Sequence, residues 1–129
     1  GQVQAFFGPM PITLAMVKDG KLRALAVSSA KRSAALPDVP AVAEFYPGFD
    51  AGVWHGIGAP KGTPKEIIAT LNKEINIILA APDTKDKFAK IGGSSLGGSA
   101  EDYGKFIASE VDKWGKVIKA AHITPVAEH

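Results

Sequence analysis

An α/β fold is predicted for this chain of 129 residues by three features of its sequence. Residues 1–29 read as strand, helix, strand. Residues 30–51 are punctuated by prolines and carry no core periodicity. From residue 52 onward a strand gives way to helices with apolar side chains at three- and four-residue spacing.

Val3 to Phe7 is a short apolar run closed by Gly8-Pro9, the pattern of a strand in a covered sheet. Pro11 to Lys18 carries Ile12, Leu14, Ala15 and Val17 and stops at Asp19-Gly20, which predicts a helix with Gly20 near its C-terminal cap. Leu22 to Val27 is a second buried-type strand ending at Ser28-Ser29. Together these make a compact βαβ unit, which places the two strands parallel and the crossover right-handed. Lys31 to Asp50, with Pro37, Pro40 and Pro47-Gly48, predicts an extended connection in which only Val42 to Phe45 forms a helical turn. Gly52 to Ala59 predicts another strand, its glycines marking close backbone approach.

The remainder predicts helices. Thr63-Pro64-Lys65-Glu66 has the capping-box pattern, with Pro64 where its missing N–H costs nothing. Ile67, Ile68, Leu71, Ile75, Ile78 and Leu79 then share one helical face. Pro82-Asp83 resets the chain for a shorter helix carrying Phe88 and Ile91 before Gly92-Gly93. Ser99 is placed to cap a final helix reaching about Ala121. Tyr103, Phe106, Ile107, Val111, Trp114, Val117 and Ile118 form its apolar stripe, with Phe106 and Trp114 expected in the core.

Composition narrows the function. The chain is 46% hydrophobic and 22% charged, with a formal net charge of +2 from 15 basic and 13 acidic residues. No basic block or aromatic-interleaved basic stripe is present, so nucleic acid is not expected as a partner. No apolar run approaches the roughly 20 residues of a membrane-spanning helix. With no cysteine, a disulfide framework, a thiolate metal site and a cysteine nucleophile are excluded. Gly1 opens directly into a strand-like run, which suggests a cleaved or truncated product, with recombinant trimming as the alternative.

Candidate chemistry is sparse. Gly92-Gly93-Ser94-Ser95-Leu96-Gly97-Gly98 lacks the Gly-Lys-Ser/Thr of a phosphate loop, so a helix cap followed by a turn or short strand is the preferred reading. Gly58-Ala59-Pro60-Lys61-Gly62-Thr63-Pro64 leads into a helix N-terminus able to hold an anion, but capping by Thr63 and Glu66 is preferred there. The three histidines, His55, His122 and His129, have no metal-ligand spacing. His55 reads first as a hydrogen-bonded histidine and second as a ligand contact beside Trp54. No Gly-x-Ser-x-Gly elbow occurs and Ser28 has no identifiable base, so neither catalysis nor a cofactor or metal is expected.

Several strings, taken in order, resemble one family. They are Gly20-Lys21-Leu22-Arg23-Ala24-Leu25-Ala26-Val27, Lys31-Arg32-Ser33, Leu36-Pro37-Asp38-Val39-Pro40 with Glu44, and Trp54 with Gly56-Ile57-Gly58-Ala59-Pro60. Gly62-Thr63-Pro64, Leu71-Asn72-Lys73-Glu74-Ile75 and Glu110 with Lys113-Trp114 follow. This pattern is similar to the C-terminal portion of the substrate-binding proteins of tripartite tricarboxylate transporters, the Bug or TctC family. The resemblance implies a type II periplasmic-binding-protein-like fold, with two α/β lobes and a solute between them. Residues 1–29 then correspond to the last βαβ part of the second lobe. Residues 30–51 are a crossing segment, and residues 52–129 are the closing strand and helices of the first lobe. It further implies a periplasmic receptor for a small organic acid, working with membrane transporter subunits.

Carboxylates in such receptors are held by loop amides at strand ends. On that template the solute-binding residues are Phe7, Gly8, Pro9 and Met10, then Ser28 and Ser29, with Trp54 and His55 facing the cleft near the crossing. Arg32 is expected to tie down the crossing by hydrogen bonds in preference to clamping a carboxylate. Two rivals stand beside the receptor. One is a self-associating interaction domain, because unpaired strand edges and open apolar faces predict a homo-oligomer. The other, ranked last, is a small enzyme.

Overall fold

The computed structural model describes residues 2–124, so Gly1 and His129 lie outside the described residues. Four helices and one short turn of 3₁₀ helix organise the chain. They are α1 (Met10–Lys18), the 3₁₀ turn (Val42–Glu44), α2 (Lys65–Ala80), α3 (Pro82–Lys90) and α4 (Ala100–Ala120).

Local chemistry sets the bounds of α1. Pro9 and Pro11 can stand at its start because the first turn has no use for their missing N–H. At its end Gly20 takes φ +72°, which lets Lys21 N–H bond back to the Met16 carbonyl at 2.9 Å. Leu14 is buried on this helix. Ser99 caps α4 as expected: its Oγ accepts from the Asp102 amide at 3.0 Å, while the Asp102 carboxylate accepts from the Ser99 hydroxyl at 2.6 Å.

The start of α2 differs from expectation. Thr63 does not cap it. Its Oγ1 donates to the Pro60 carbonyl at 2.8 Å, closing a turn in which Gly62 adopts φ +89°. Pro64 occupies the N-cap position without any side-chain cap. The hydroxyl is drawn back into the preceding turn, so the Ser/Thr-x-x-Glu pattern is present and unused.

Strands are the larger difference. Val3–Phe7, Leu22–Val27 and Gly52–Ala59 form no β-ladder among the described residues, and the parallel pair expected on either side of α1 is not hydrogen-bonded. What remains is one parallel bridge between Val27 and Ala41. Val27 N–H reaches the Pro40 carbonyl and Val42 N–H reaches the Val27 carbonyl, both at 2.9 Å. Alternating or apolar sequence makes a segment competent to pair; the neighbour that pairs with it must come from elsewhere.

Val27 and Ala41 are also buried, and with Leu14 they are the buried apolar residues among those described. Helix α2 packs against α3 and α4, yet Ile67, Leu71 and Ile78 of its apolar face stay largely exposed. Phe106 and Trp114, expected in the core, each retain 40% exposure. Their stripe is amphipathic, but the helices present cover only part of it. Helix α1 meets the end of α3 where Gly92, at φ +76°, leaves room for the Met10 side chain.

The proline-rich passage is pinned by one ion pair. Arg32 Nε and Nη2 donate to the two Glu44 carboxylate oxygens at 2.7 and 2.8 Å, and Nη1 donates to the Pro37 carbonyl at 3.1 Å. Glu44 Oε1 also accepts from the Ala41 amide at 2.8 Å. Arg32 therefore ties down the proline-rich passage by hydrogen bonds. An exposed pair is ordinarily weak, but a bidentate guanidinium adds direction to charge.

Hydrogen bonds from Arg32, then the Ala41 amide, pull the Glu44 carboxyl from its ordinary 4.5 down to about 2. The folded value lies below the unfolded one, so this stabilisation is complete above about 4.5 and fades as pH falls towards 2. Urea midpoints measured across that window are expected to fall more steeply for the parent than for Arg32→Gln. Parallel pH profiles would remove the pair as the cause.

Candidate functional site

Among the described residues the one buried charged side chain is Glu110, at 8% exposure. It sits on α4 one turn beyond Phe106 and Ile107, where the helical stripe calls for an apolar residue. Three donors compensate the burial. Trp54 Nε1 and Trp114 Nε1 both donate to Glu110 Oε2, at 3.2 and 3.1 Å, and the Lys113 ammonium pairs with Oε1. Lys113 also donates to the Asp50 carbonyl at 3.3 Å and lies 5.4 Å from the Trp114 ring centroid. The Lys113 hydrogen bond, aided by the two indoles, holds the Glu110 carboxyl below its ordinary value against the opposing effect of burial.

Aromatic packing surrounds this carboxylate. The Trp54 ring meets Phe106 edge-on at 5.1 Å and Tyr103 edge-on at 6.1 Å. Gly56 passes so close to the Tyr103 hydroxyl that a Cβ there would overlap it. This accounts for the glycine in the Gly52–Ala59 stretch without a ladder.

The residues expected to contact solute differ in their surroundings. Phe7 is 99% exposed, Gly8 and Pro9 precede α1, and Met10 packs on Gly92. Ser28 Oγ donates to the Ala51 carbonyl at 3.2 Å, and Ala51 N–H returns a bond to the Ser28 carbonyl at 2.9 Å. Ser29 Oγ donates to the Lys31 carbonyl at 2.8 Å. Trp54 has its indole N–H on Glu110. His55 is exposed and makes no side-chain hydrogen bond to a described residue, so the hydrogen-bonded histidine expected there is not found. The structure thus joins Ser28 to the passage leading into Trp54, through Ala51.

The glycine-rich stretch after α3 is structural. Gly92 ends the helix, with Gly93 N–H on the Phe88 carbonyl at 2.9 Å. Asn76 of α2 then grips Gly98 twice, donating to its carbonyl at 2.9 Å and accepting from its amide at 2.8 Å. Asn72 donates to the same carbonyl at 3.0 Å, and Ser95 donates to the Leu79 carbonyl at 3.0 Å. These amides and carbonyls serve α2, which supports the cap-and-turn reading over a phosphate loop. A depression of about 240 Å³ here is lined by Asn76, Leu79, Lys85 and Ser95. Another, about 230 Å³, lies between α1 and the end of α3, lined by Leu14, Lys18, Lys90 and Ile91. Neither includes any of the eight expected solute contacts. No group of three His, Asp or Glu among the described residues is placed to hold a metal ion.

The model of the tripartite tricarboxylate transporter family receptor matches residues 1–123. The chain belongs to this family. Among curated relatives of the receptor family, BugT of Bordetella pertussis is 38% identical over 120 residues, covering 92% of this chain and 37% of BugT. The UPF0065 protein of the tcbD-tcbE intergenic region in Pseudomonas sp. strain P51 is 41% identical over 100 residues, 76% of this chain and 30% of its own length.

Among solved structures, R. palustris Rpa4515 with adipate superposes with a TM-score of 0.82 at 36% identity, covering 91% of this chain and 40% of that one. The periplasmic binding protein BugD gives 0.77 at 35% identity, covering 86% and 38%. The chain therefore spans between 30% and 40% of the length of these relatives. The periplasmic-binding-protein fold class is borne out, and the family is one of receptors, not enzymes.

Glu110 entered the sequence reading only as part of a motif. An acid inside an apolar helical stripe, three and four residues before Lys113 and Trp114, was the available signal. Asn76→Ala, which removes both bonds to Gly98, is expected to cost about 1 kcal/mol, since solvent can replace them at this exposed site. Urea denaturation checks this, and an unchanged midpoint would mean the stretch is held by other contacts.

Proposed function

We propose that this chain is part of an extracytoplasmic solute receptor, periplasmic in location. It would bind a small carboxylate or related organic anion and deliver it to a tripartite tricarboxylate-type membrane transporter. The family match over residues 1–123 carries this reading, and the adipate named with a relative of 36% identity supports the ligand class. On this reading residues 1–29 and 52–129 belong to two lobes and residues 30–51 cross between them. The solute meets the loop at Phe7, Gly8, Pro9 and Met10, the turn at Ser28 and Ser29, and the Trp54–His55 stretch.

Neutral groups suffice for this task. Backbone amides and hydroxyls converging on a carboxylate supply charge-assisted hydrogen bonds without the desolvation cost of a buried cation. Arg32 is occupied by Glu44 and Lys113 by Glu110, which favours neutral recognition.

A second reading rests on a different observation. Large apolar side chains including Val3, Phe6, Ile57 and Leu96 are more than half exposed, and such surface favours self-association into a homo-oligomer. One experiment separates the two. Adipate and a panel of di- and tricarboxylates, added during thermal unfolding with light scattering recorded in parallel, are expected to raise the melting midpoint. A ligand at 100 times its Kd contributes about 2.7 kcal/mol. An unmoved midpoint in an associated species would favour the interaction domain; an unmoved midpoint in a monomer would overturn both readings.

A further inference from the structure

Residues 50–56 are held in an unusual way for a segment with strand-like sequence. They form no ladder. Ala51 N–H bonds to the Ser28 carbonyl, and the Asp50 carboxylate turns to the Gly52 amide at 3.3 Å. Apart from the paired bonds between Ser28 and Ala51, the longer-range fastenings described here come from side chains of α4. Lys113 holds the Asp50 carbonyl, Glu110 holds the Trp54 indole, Phe106 and Tyr103 flank its ring, and Tyr103 covers Gly56. His55 lies between two of these anchored positions.

Glu110 links the anchors. The chain has two tryptophans, and both give their N–H to the same carboxylate oxygen. The second oxygen orients Lys113, which is itself the tie to Asp50. One ionised group therefore fixes an indole from the 50–56 stretch, an indole from α4 and the lysine that reaches the start of the stretch. Removing it would leave two indole donors and an ammonium without their shared acceptor at a part-buried site.

We infer that Glu110 is the positioning residue of the Trp54–His55 stretch, acting as a shared anionic latch between it and α4. The latch is defined by geometry alone. Its bearing on solute binding rests on the receptor reading above, so no solute enters the test.

Because the latch favours the ionised carboxylate, it is closed at neutral pH and opens as pH falls below the ordinary glutamate value of 4.5. The charged group in contact with Glu110 is Lys113. The 50–56 side contributes Trp54 and the Asp50 backbone carbonyl; α4 contributes Trp114, with Tyr103 against Trp54.

The two tryptophans give two indole N–H resonances, and nitrogen–proton NMR on the full chain can follow both. The expected result is that they titrate together, with one midpoint below 4.5. In Glu110→Gln both signals should move and the shared titration vanish. Backbone order parameters of residues 53–57 should drop from about 0.85 towards 0.6, and the contact between Gly56 and the Tyr103 ring should be lost.

Indoles that titrate separately, or a Glu110→Gln chain in which residues 53–57 stay ordered, would overturn the inference. If Glu110→Gln fails to fold, Trp114→Phe serves instead. The remaining Trp54 resonance should still titrate, with its midpoint moved up towards 4.5 by the loss of one indole donor, and a resonance that no longer responds would overturn the latch. A failed thermal shift with adipate, by contrast, would count against the ligand reading and leave the latch as measured.

Discussion

The buried carboxylate of Glu110 is the interaction on which the arrangement of the Trp54 stretch depends. A charge removed from water is costly unless every lone pair finds a donor. Here the donors are drawn from places far apart in sequence, one of them 56 residues away. The requirement to satisfy one acid therefore organises α4, Trp54 and the passage through Asp50 into a single body. The Arg32–Glu44 pair does the same for the proline-rich passage, with the guanidinium fork reaching both a carboxylate and the Pro37 carbonyl. These two acid-centred nodes compensate for a small apolar core.

That small core is the second theme. Leu14, Val27 and Ala41 are buried, while most large apolar side chains keep substantial exposure. The chain covers between 30% and 40% of the four relatives compared above, and a fold of this type buries its sheet on both faces. Specific polar contacts and capped helix ends consequently carry an unusual share of the order seen here. Asn76 on Gly98, Ser99 on Asp102 and Ser28 on Ala51 are the clearest cases.

Features governed by nearby residues were legible in the sequence. Helices α1 and α4, the Gly20 and Gly92 caps and the Ser99–Asp102 cap follow from period and cap chemistry within a few residues. The Val3–Phe7, Leu22–Val27 and Gly52–Ala59 strands were not, because a ladder needs a partner that local pattern does not contain. Thr63 matched a capping motif and instead closed the Pro60–Thr63 turn, a competition between two local bonds that spacing alone does not decide. Phe106 and Trp114 were read as core from their stripe, but burial depends on what lies opposite. At the site, Trp54 could be singled out as an aromatic near the crossing. The acid in the stripe at Glu110 was visible too, but its pairing with Trp54 was not, since nothing local says that an acid on a helix will meet an indole from so distant a segment.

The Met10–Gly92 seam carries a consequence for mutational tolerance. Position 92 sits in left-handed backbone, and the space a Cβ would occupy already belongs to Met10. Both the dihedral and the packing oppose a side chain here. Replacement would have to strain the end of α3 and displace the methionine at once, disturbing the seam between α1 and that helix end. A hydrogen atom in place of a side chain thus works as the docking notch for the first helix.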